Sequence, residues 1–122
     1  RILNMIASSL RYRYDDVFEN TFIDLMATAD GQPFIFEVKS NNNRNVLSQI
    51  RKAVAQLYEY RYRIELPQAG LCIVLQQKPP QEWVIDYLLN DRDILVCWLV
   101  DDLRLECPPQ CNATLAQIGI LD

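Results

Sequence analysis

Glu37 and Lys39 stand two residues apart in "PFIFEVKSNNN", residues 33–43, at the end of an apolar run and just before three asparagines. Side chains alternate across an extended strand, so the acid and the base share one face while Phe36 and Val38 share the other. A half-solvated edge strand would carry such a pair, and so would a site that cleaves phosphodiesters. Upstream, Asp24 interrupts an apolar run between Ile23 and Leu25. A carboxylate there is costly to bury unless it is paired or binds a metal. With a hairpin turning at Asp30-Gly31, Asp24 and Glu37 lie at comparable heights from the turn, and two acids and a lysine converge.

Phosphodiester hydrolysis needs that combination. Hard oxygen ligands hold Mg²⁺, or Mn²⁺ in its place, and the ion keeps several waters and takes the substrate phosphate as a further ligand. It polarises the phosphoryl oxygen and lowers the pKa of a bound water. A nearby ammonium orients that water or stabilises the charge that develops. Asp24 and Glu37 are the candidate metal ligands, with the backbone carbonyl of Val38 between the acid and the lysine as an extra oxygen. Lys39 is the candidate for the water or the charge.

The rest of the composition narrows the alternatives. The chain has 122 residues and no histidine. That removes imidazole acid/base catalysis, Ser-His and Cys-His nucleophiles and histidine zinc sites. Four cysteines are present. Cys72 and Cys97 fall inside apolar runs and read as small buried hydrophobes. Cys107 and Cys111 form a C-x3-C pair, a poor match to zinc ribbons, which need two close pairs. The longest apolar runs are too short for a bilayer span and no signal peptide is visible, so the expected setting is cytoplasmic.

The elements that must position the candidates follow from the pattern. One domain is expected over 1–122, excised from a longer chain because it begins at Arg1. Residues 1–10 read as the end of a helix, "RYRYDDVF" as a strand, and "TFIDLMATA" and "FIFEVKS" as two more, joined by the Asp-Gly turn into an antiparallel meander. Asn45 reads as the N-cap of "VLSQIRKAVAQLYEYRYR", the strongest helix, whose buried stripe is Leu47, Ile50, Val54 and Leu57. "LCIVLQ" and "DILVCWLV" are apolar enough for strands covered on both faces. "PPQEWVIDYLLN" between them is a second helix starting at proline, and the tail shows only a weak helical stretch near Leu115. A mixed sheet with helices packed on it, an α/β domain, is predicted.

On the long helix, Gln49 and Gln56 are seven residues apart and lie within about 20° of each other. Tyr60 is one turn beyond Gln56. This polar line borders the buried stripe and can reach a site at the sheet edge. "ID" at 23–24, "FEVK" at 36–39 and "QLYEY" at 56–60 together resemble the PD-(D/E)xK nucleases, which have the restriction-endonuclease-like fold. The last element is similar to the Q-x3-Y motif of the RecB-like branch. The resemblance spans roughly residues 10–76. It implies that Asp24 and Glu37 ligate Mg²⁺, that Lys39 positions water, and that Gln56 and Tyr60 support the site. Ile23 stands where the family usually has proline. Many members add a glutamate from the first helix, which residues 1–10 lack; Glu19, in the next connection, either substitutes for it or simply sits at a hairpin turn.

Net charge is −4, yet Lys39, Arg44, Arg51, Lys52, Arg61 and Arg63 face only Glu59 between residues 39 and 63. From Asp86 onward acids prevail. One region suits phosphates while another repels them. The expected function is a metal-dependent DNA nuclease, with a homodimer or further domains of a longer chain as additional partners and no membrane. The alternatives are an inactive module of the same fold that binds nucleic acid or protein, and an unrelated α/β interaction domain. Trp83 and Trp98 are expected in the core rather than as base-stacking platforms, and packing rather than stacking on bases is the expected role of Tyr12, Tyr14, Tyr58 and Tyr62.

Overall fold

The computed structural model describes residues 17–18, 25–29, 31–101 and 104–121. Gly31 adopts φ +79°, a left-handed backbone that glycine reaches without steric cost, and the chain reverses there. Ala29 pairs with Gln32, and the antiparallel ladder continues to Leu25 opposite Phe36. This hairpin joins strand β2 (Leu25–Ala29) to β3 (Gln32–Lys39); β1 (Val17–Phe18) pairs antiparallel with β2. The expected meander is therefore present. The helix expected over 1–10, and the strand expected over 11–18 apart from Val17 and Phe18, lie outside the described residues.

Helix α1 (Val46–Arg63) carries the chain to β4 (Gly70–Leu75), which runs parallel to β3 with Glu37 opposite Ile73. Helix α2 (Glu82–Asp86), prolonged by a π-helical turn over Tyr87–Asp91, leads to β5 (Ile94–Leu99), parallel to β4. A short β6 (Leu105–Glu106) turns back antiparallel along β5, and α3 (Pro109–Ile118) follows. The sheet order is the chain order, β1-β2-β3-β4-β5-β6. Two successive crossovers of one hand, stepping the same way, put their helices on the same face. Ile35, Leu71, Ile73, Leu75, Ile94, Val96 and Trp98 accordingly pack with Ile50, Ala53 and Leu57 of α1 and Val84 of α2. The opposite face, with Phe36, Cys72, Val74 and Cys97, packs with Cys111, Leu115 and Ile118 of α3. β4 and β5 are thus covered on both sides, which is why their sequences are unbroken apolar runs. The fold is mixed α/β, a sheet with helices on both faces.

Some local expectations change. Pro79 and Pro80 precede α2 rather than opening it, and Gln81 holds the N-cap position. Asn45 does precede α1, but its side chain makes no cap hydrogen bond to the helix. The tail forms a full helix: α3 starts at Pro109 and stops at Gly119, whose φ of +105° closes the last turn. Its Cys111, Leu115 and Ile118 are buried at i, i+4 and i+7. Trp98 is in the core as expected, but Trp83 is 55% exposed and Tyr62 84% exposed. Tyr58 packs beneath two cations, with Arg61 at 4.8 Å and Arg92 at 5.9 Å from its ring centre, and its hydroxyl donates to the Arg92 carbonyl.

Candidate functional site

Ile35 and Phe36 anchor β3 in the two cores, one on each face. Alternation then carries Glu37 and Lys39 onto the Ile35 face, under α1. Glu37 is only 3% exposed, and its Oε2 lies 3.1 Å from Lys39 Nζ. Val38 between them turns its side chain toward the opposite core. The pair closes the carboxyl end of β3, beside Ile73 and Leu75 of the parallel strand β4. In open α/β sheets the carboxyl ends of parallel strands are where ligands bind.

Three asparagines build the rim around this end. Asn41 is buried and donates through Nδ2 to the Gln77 carbonyl at 3.1 Å, while its Oδ1 accepts from the Gln77 amide at 3.0 Å. That clasp ties the loop after β3 to the loop after β4. Asn42 Oδ1 accepts from the amides of Arg44 and Asn45 at 2.8 and 3.0 Å, and Asn45 Oδ1 accepts from the Asn42 amide at 2.7 Å. The Gln76 amide donates to the Lys39 carbonyl at 3.2 Å. "NNN" signals a polar loop, and its first two residues, together with Asn45, make these hydrogen bonds.

Gln49 Nε2 donates to the Ser40 carbonyl at 2.6 Å, so α1 begins against the end of β3 and runs back along it. From that contact, Glu37 is three strand residues back, about 10 Å. Gln56 is seven helical residues on, again about 10 Å. Gln56 therefore lies level with Glu37, and by the same count Tyr60 lies level with Ile35, whose core it shares. Gln56 Oε1 is buried and accepts no hydrogen bond among the described residues.

The helix phase differs from the sequence reading. At about 100° per residue, the buried line runs through Val46, Ile50, Ala53, Leu57 and Tyr60. Leu47 and Val54 sit about 90° to one side of it, toward α2, and are partly buried. Gln49 and Gln56 sit about 70° to the other side, closer to the sheet than a Leu47–Val54 stripe would leave them. Of the residues singled out, Glu37, Lys39, Gln49, Gln56 and Tyr60 are brought to one face of β3 beneath one helix. Asp24 and Glu19 lie outside the described residues.

Positive charge gathers at this edge. Arg44, Arg51 and Lys52 are exposed, and Lys78 stands 5.5 Å from the Trp98 ring centre. The exposed pairs Arg63–Glu59, Arg92–Asp91 and Arg104–Asp101 lie elsewhere and contribute little.

The thiols form a separate, inert set. Cys72, Cys97 and Cys111 are buried, and all four cysteines are free. Hydrogen bonding to Cys97, followed by burial, raises the Cys72 thiol well above its ordinary value. Burial pushes Cys107 up to about 11 and raises Cys111 less strongly. Thiolates, the reactive and metal-binding form, are thus disfavoured. Among the described residues no group of three or more His, Cys, Asp or Glu gathers as a metal site, and no helix is long and apolar enough to cross a membrane.

Comparison of the chain with protein-family models, with curated proteins and with solved structures returns no match.

Proposed function

We propose that this chain is a Mg²⁺- or Mn²⁺-dependent nuclease domain of the PD-(D/E)xK type, with the restriction-endonuclease-like fold, acting on DNA. The observation that carries the reading is the ion pair of buried Glu37 with partly buried Lys39 at the carboxyl end of β3, under the helix that carries the buried Gln56 oxygen. The order of meander, helix, strand, helix, strand supports the fold assignment. A buried acid–base pair with no use beyond the fold is a poor stability device, since apolar residues of similar volume do as well or better.

The donor chemistry fits a hard divalent ion, which takes one or two carboxylates and fills its remaining positions with water and phosphate. Glu37 and Asp24 would hold it, with the Val38 carbonyl as a further oxygen. When bound, the ion polarises the phosphoryl group and acidifies a water. Lys39 orients the attacking water and neutralises charge on the phosphorane-like transition state. The Gln56 oxygen, level with the acid, accepts a hydrogen bond from the water network, and Tyr60 braces the helix below it. The cations at the rim receive the nucleic-acid backbone.

Incubation of the protein with duplex, single-stranded and branched DNA and with RNA, in Mg²⁺ or Mn²⁺ and in EDTA, tests the reading. Cleavage should need the metal and fall at least a hundredfold in Lys39→Ala and Glu37→Gln. Binding without cleavage of any substrate would reassign the chain as a nucleic-acid-binding module of the same fold. Equal cleavage by the Lys39→Ala protein would remove the site altogether.

A further inference from the structure

A second feature lies across α1 from the acid–lysine pair. Leu47, Ile50 and Arg51 of α1 and Trp83, Val84 and Tyr87 of the α2 region line a groove of about 230 Å³. Trp83 leaves more than half its surface in water, and its ring is tilted 60° to Tyr87 at 6.4 Å. An indole face open to water offers a flat surface on which another planar ring can stack.

The groove opens at the same edge of the sheet as Glu37. The loops that lead into α1 and α2 leave the carboxyl ends of β3 and β4, and the Asn41–Gln77 clasp joins them. The groove takes the Leu47 flank of α1, and Gln49 and Gln56 take the other. The two are therefore separated by about one helix width, roughly 10 Å, which a few nucleotides cover. Arg44, Arg51, Lys52 and Lys78 are exposed around this end, against Glu82 and Asp86. An occupant that is flat, apolar on its face and carried on an anionic backbone satisfies both the indole and the cations. A base held in a duplex presents no free face, whereas an unpaired base stacks on aromatic rings regardless of sequence.

We propose that this groove seats an unpaired base of single-stranded nucleic acid, stacked on Trp83 with its backbone along Arg51 and Lys52. The proposal rests on the nucleic-acid reading above and adds the form of substrate. Trp83 and Trp98 are the two tryptophans, one exposed and one buried, so emission reports on the groove directly.

The test is a titration of the metal-free protein, in EDTA, with a short oligothymidylate while tryptophan emission is followed. Saturable quenching is expected with the single strand and not with a blunt duplex. Read by the anisotropy of a dye-labelled oligothymidylate, which needs no tryptophan in the groove, Trp83→Ala should bind about tenfold more weakly, and Trp83→Phe should keep most of the affinity. The far-ultraviolet circular dichroism and the melting curve of both variants should match the parent, which separates a lost platform from a lost fold. Equal binding by Trp83→Ala, or equal quenching by the duplex, overturns the proposal. An emission change on dilution alone, without oligonucleotide, overturns it in favour of a second copy of the chain in the groove. Because no metal is present, a protein that quenches but never cleaves would refute the nuclease reading and leave the groove assignment standing.

Discussion

Replacing Lys39 by Met removes the ammonium that stands 3.1 Å from the Glu37 carboxylate and leaves a chain of similar length. At an effective dielectric of about 20, that separation corresponds to roughly 5 kcal/mol of attraction. Part of this returns, because the lysine no longer has to be desolvated, and breaking a buried pair from one side costs about 3–5 kcal/mol. Glu37 has a further interaction, which points to the lower end. A loss of about 3 kcal/mol at neutral pH is expected, or a melting temperature lower by roughly 10 °C in a chain of this size. Urea denaturation followed by circular dichroism reads it. Glu37→Gln/Lys39→Met removes both charges and should return to within about 1 kcal/mol of the parent. A single variant that loses less than about 1 kcal/mol, or a double variant no better than the single, would show that Lys39 is not what compensates the burial of Glu37. The folded double variant is also the cleanest catalytic blank, since its stability is expected to be intact.

Other regions give independent checks. Asn41→Ala breaks two hydrogen bonds to the Gln77 backbone, expected to cost about 1–2 kcal/mol and to speed hydrogen exchange at the Gln77 amide. A Cβ at Gly70 falls 2.6 Å from Cδ1 and Cε1 of Phe34, so Gly70→Val should cost about 1–3 kcal/mol in denaturation, and adding Phe34→Leu should recover part of it. Cys107 has its thiol raised from 9.0 to about 11, chiefly by burial, so the native state holds this proton more tightly than the unfolded chain. Its contribution to stability is complete below about pH 9 and is lost as pH rises through about 11. Cys107→Ser should flatten that alkaline decline, and thiol labelling of the native protein should stay slow until the pH approaches 11.

The elements whose signals are local were legible in the sequence. Asp30-Gly31 marked the hairpin because a tight turn needs φ > 0, and the two apolar runs marked strands that are covered on both faces. The phase of α1 was not legible, because its apolar residues serve two neighbours. Ala53 and Tyr60 meet the sheet, whereas Leu47 and Val54 lean toward α2, and periodicity alone does not separate these destinations. α3 was underrated because Pro, Cys, Asn and Thr are weak helix formers; its stability comes from seating Cys111, Leu115 and Ile118 on the second face. Trp83 was assigned to the core on its residue type, yet it stands at the mouth of a groove, a position that only the packing of two helices defines. Glu37 and Lys39 share one face of β3, as strand alternation predicts, whereas Tyr60, expected on the polar line beside the stripe, belongs to the buried line itself. Asn41 carried no signal, since its partner is backbone 36 residues away.

The order of the strands in the sheet also bears on how the molecule is made. Each strand pairs with the one translated immediately before it, so the sheet can grow outward in the direction of synthesis without waiting for a distant segment. The hairpin closes over neighbouring residues, whereas each parallel step, Phe34 to Gly70 and then Leu71 to Ile94, closes over a whole helical crossover and is the slower event. The acid–lysine rim is fastened once Gln77 has emerged and closed on Asn41. The groove follows a few residues later, when Trp83 and Tyr87 dock. α3 arrives last, over a face that stays open until then, so a nascent chain would carry a formed rim while its cysteine-lined side is still waiting for cover.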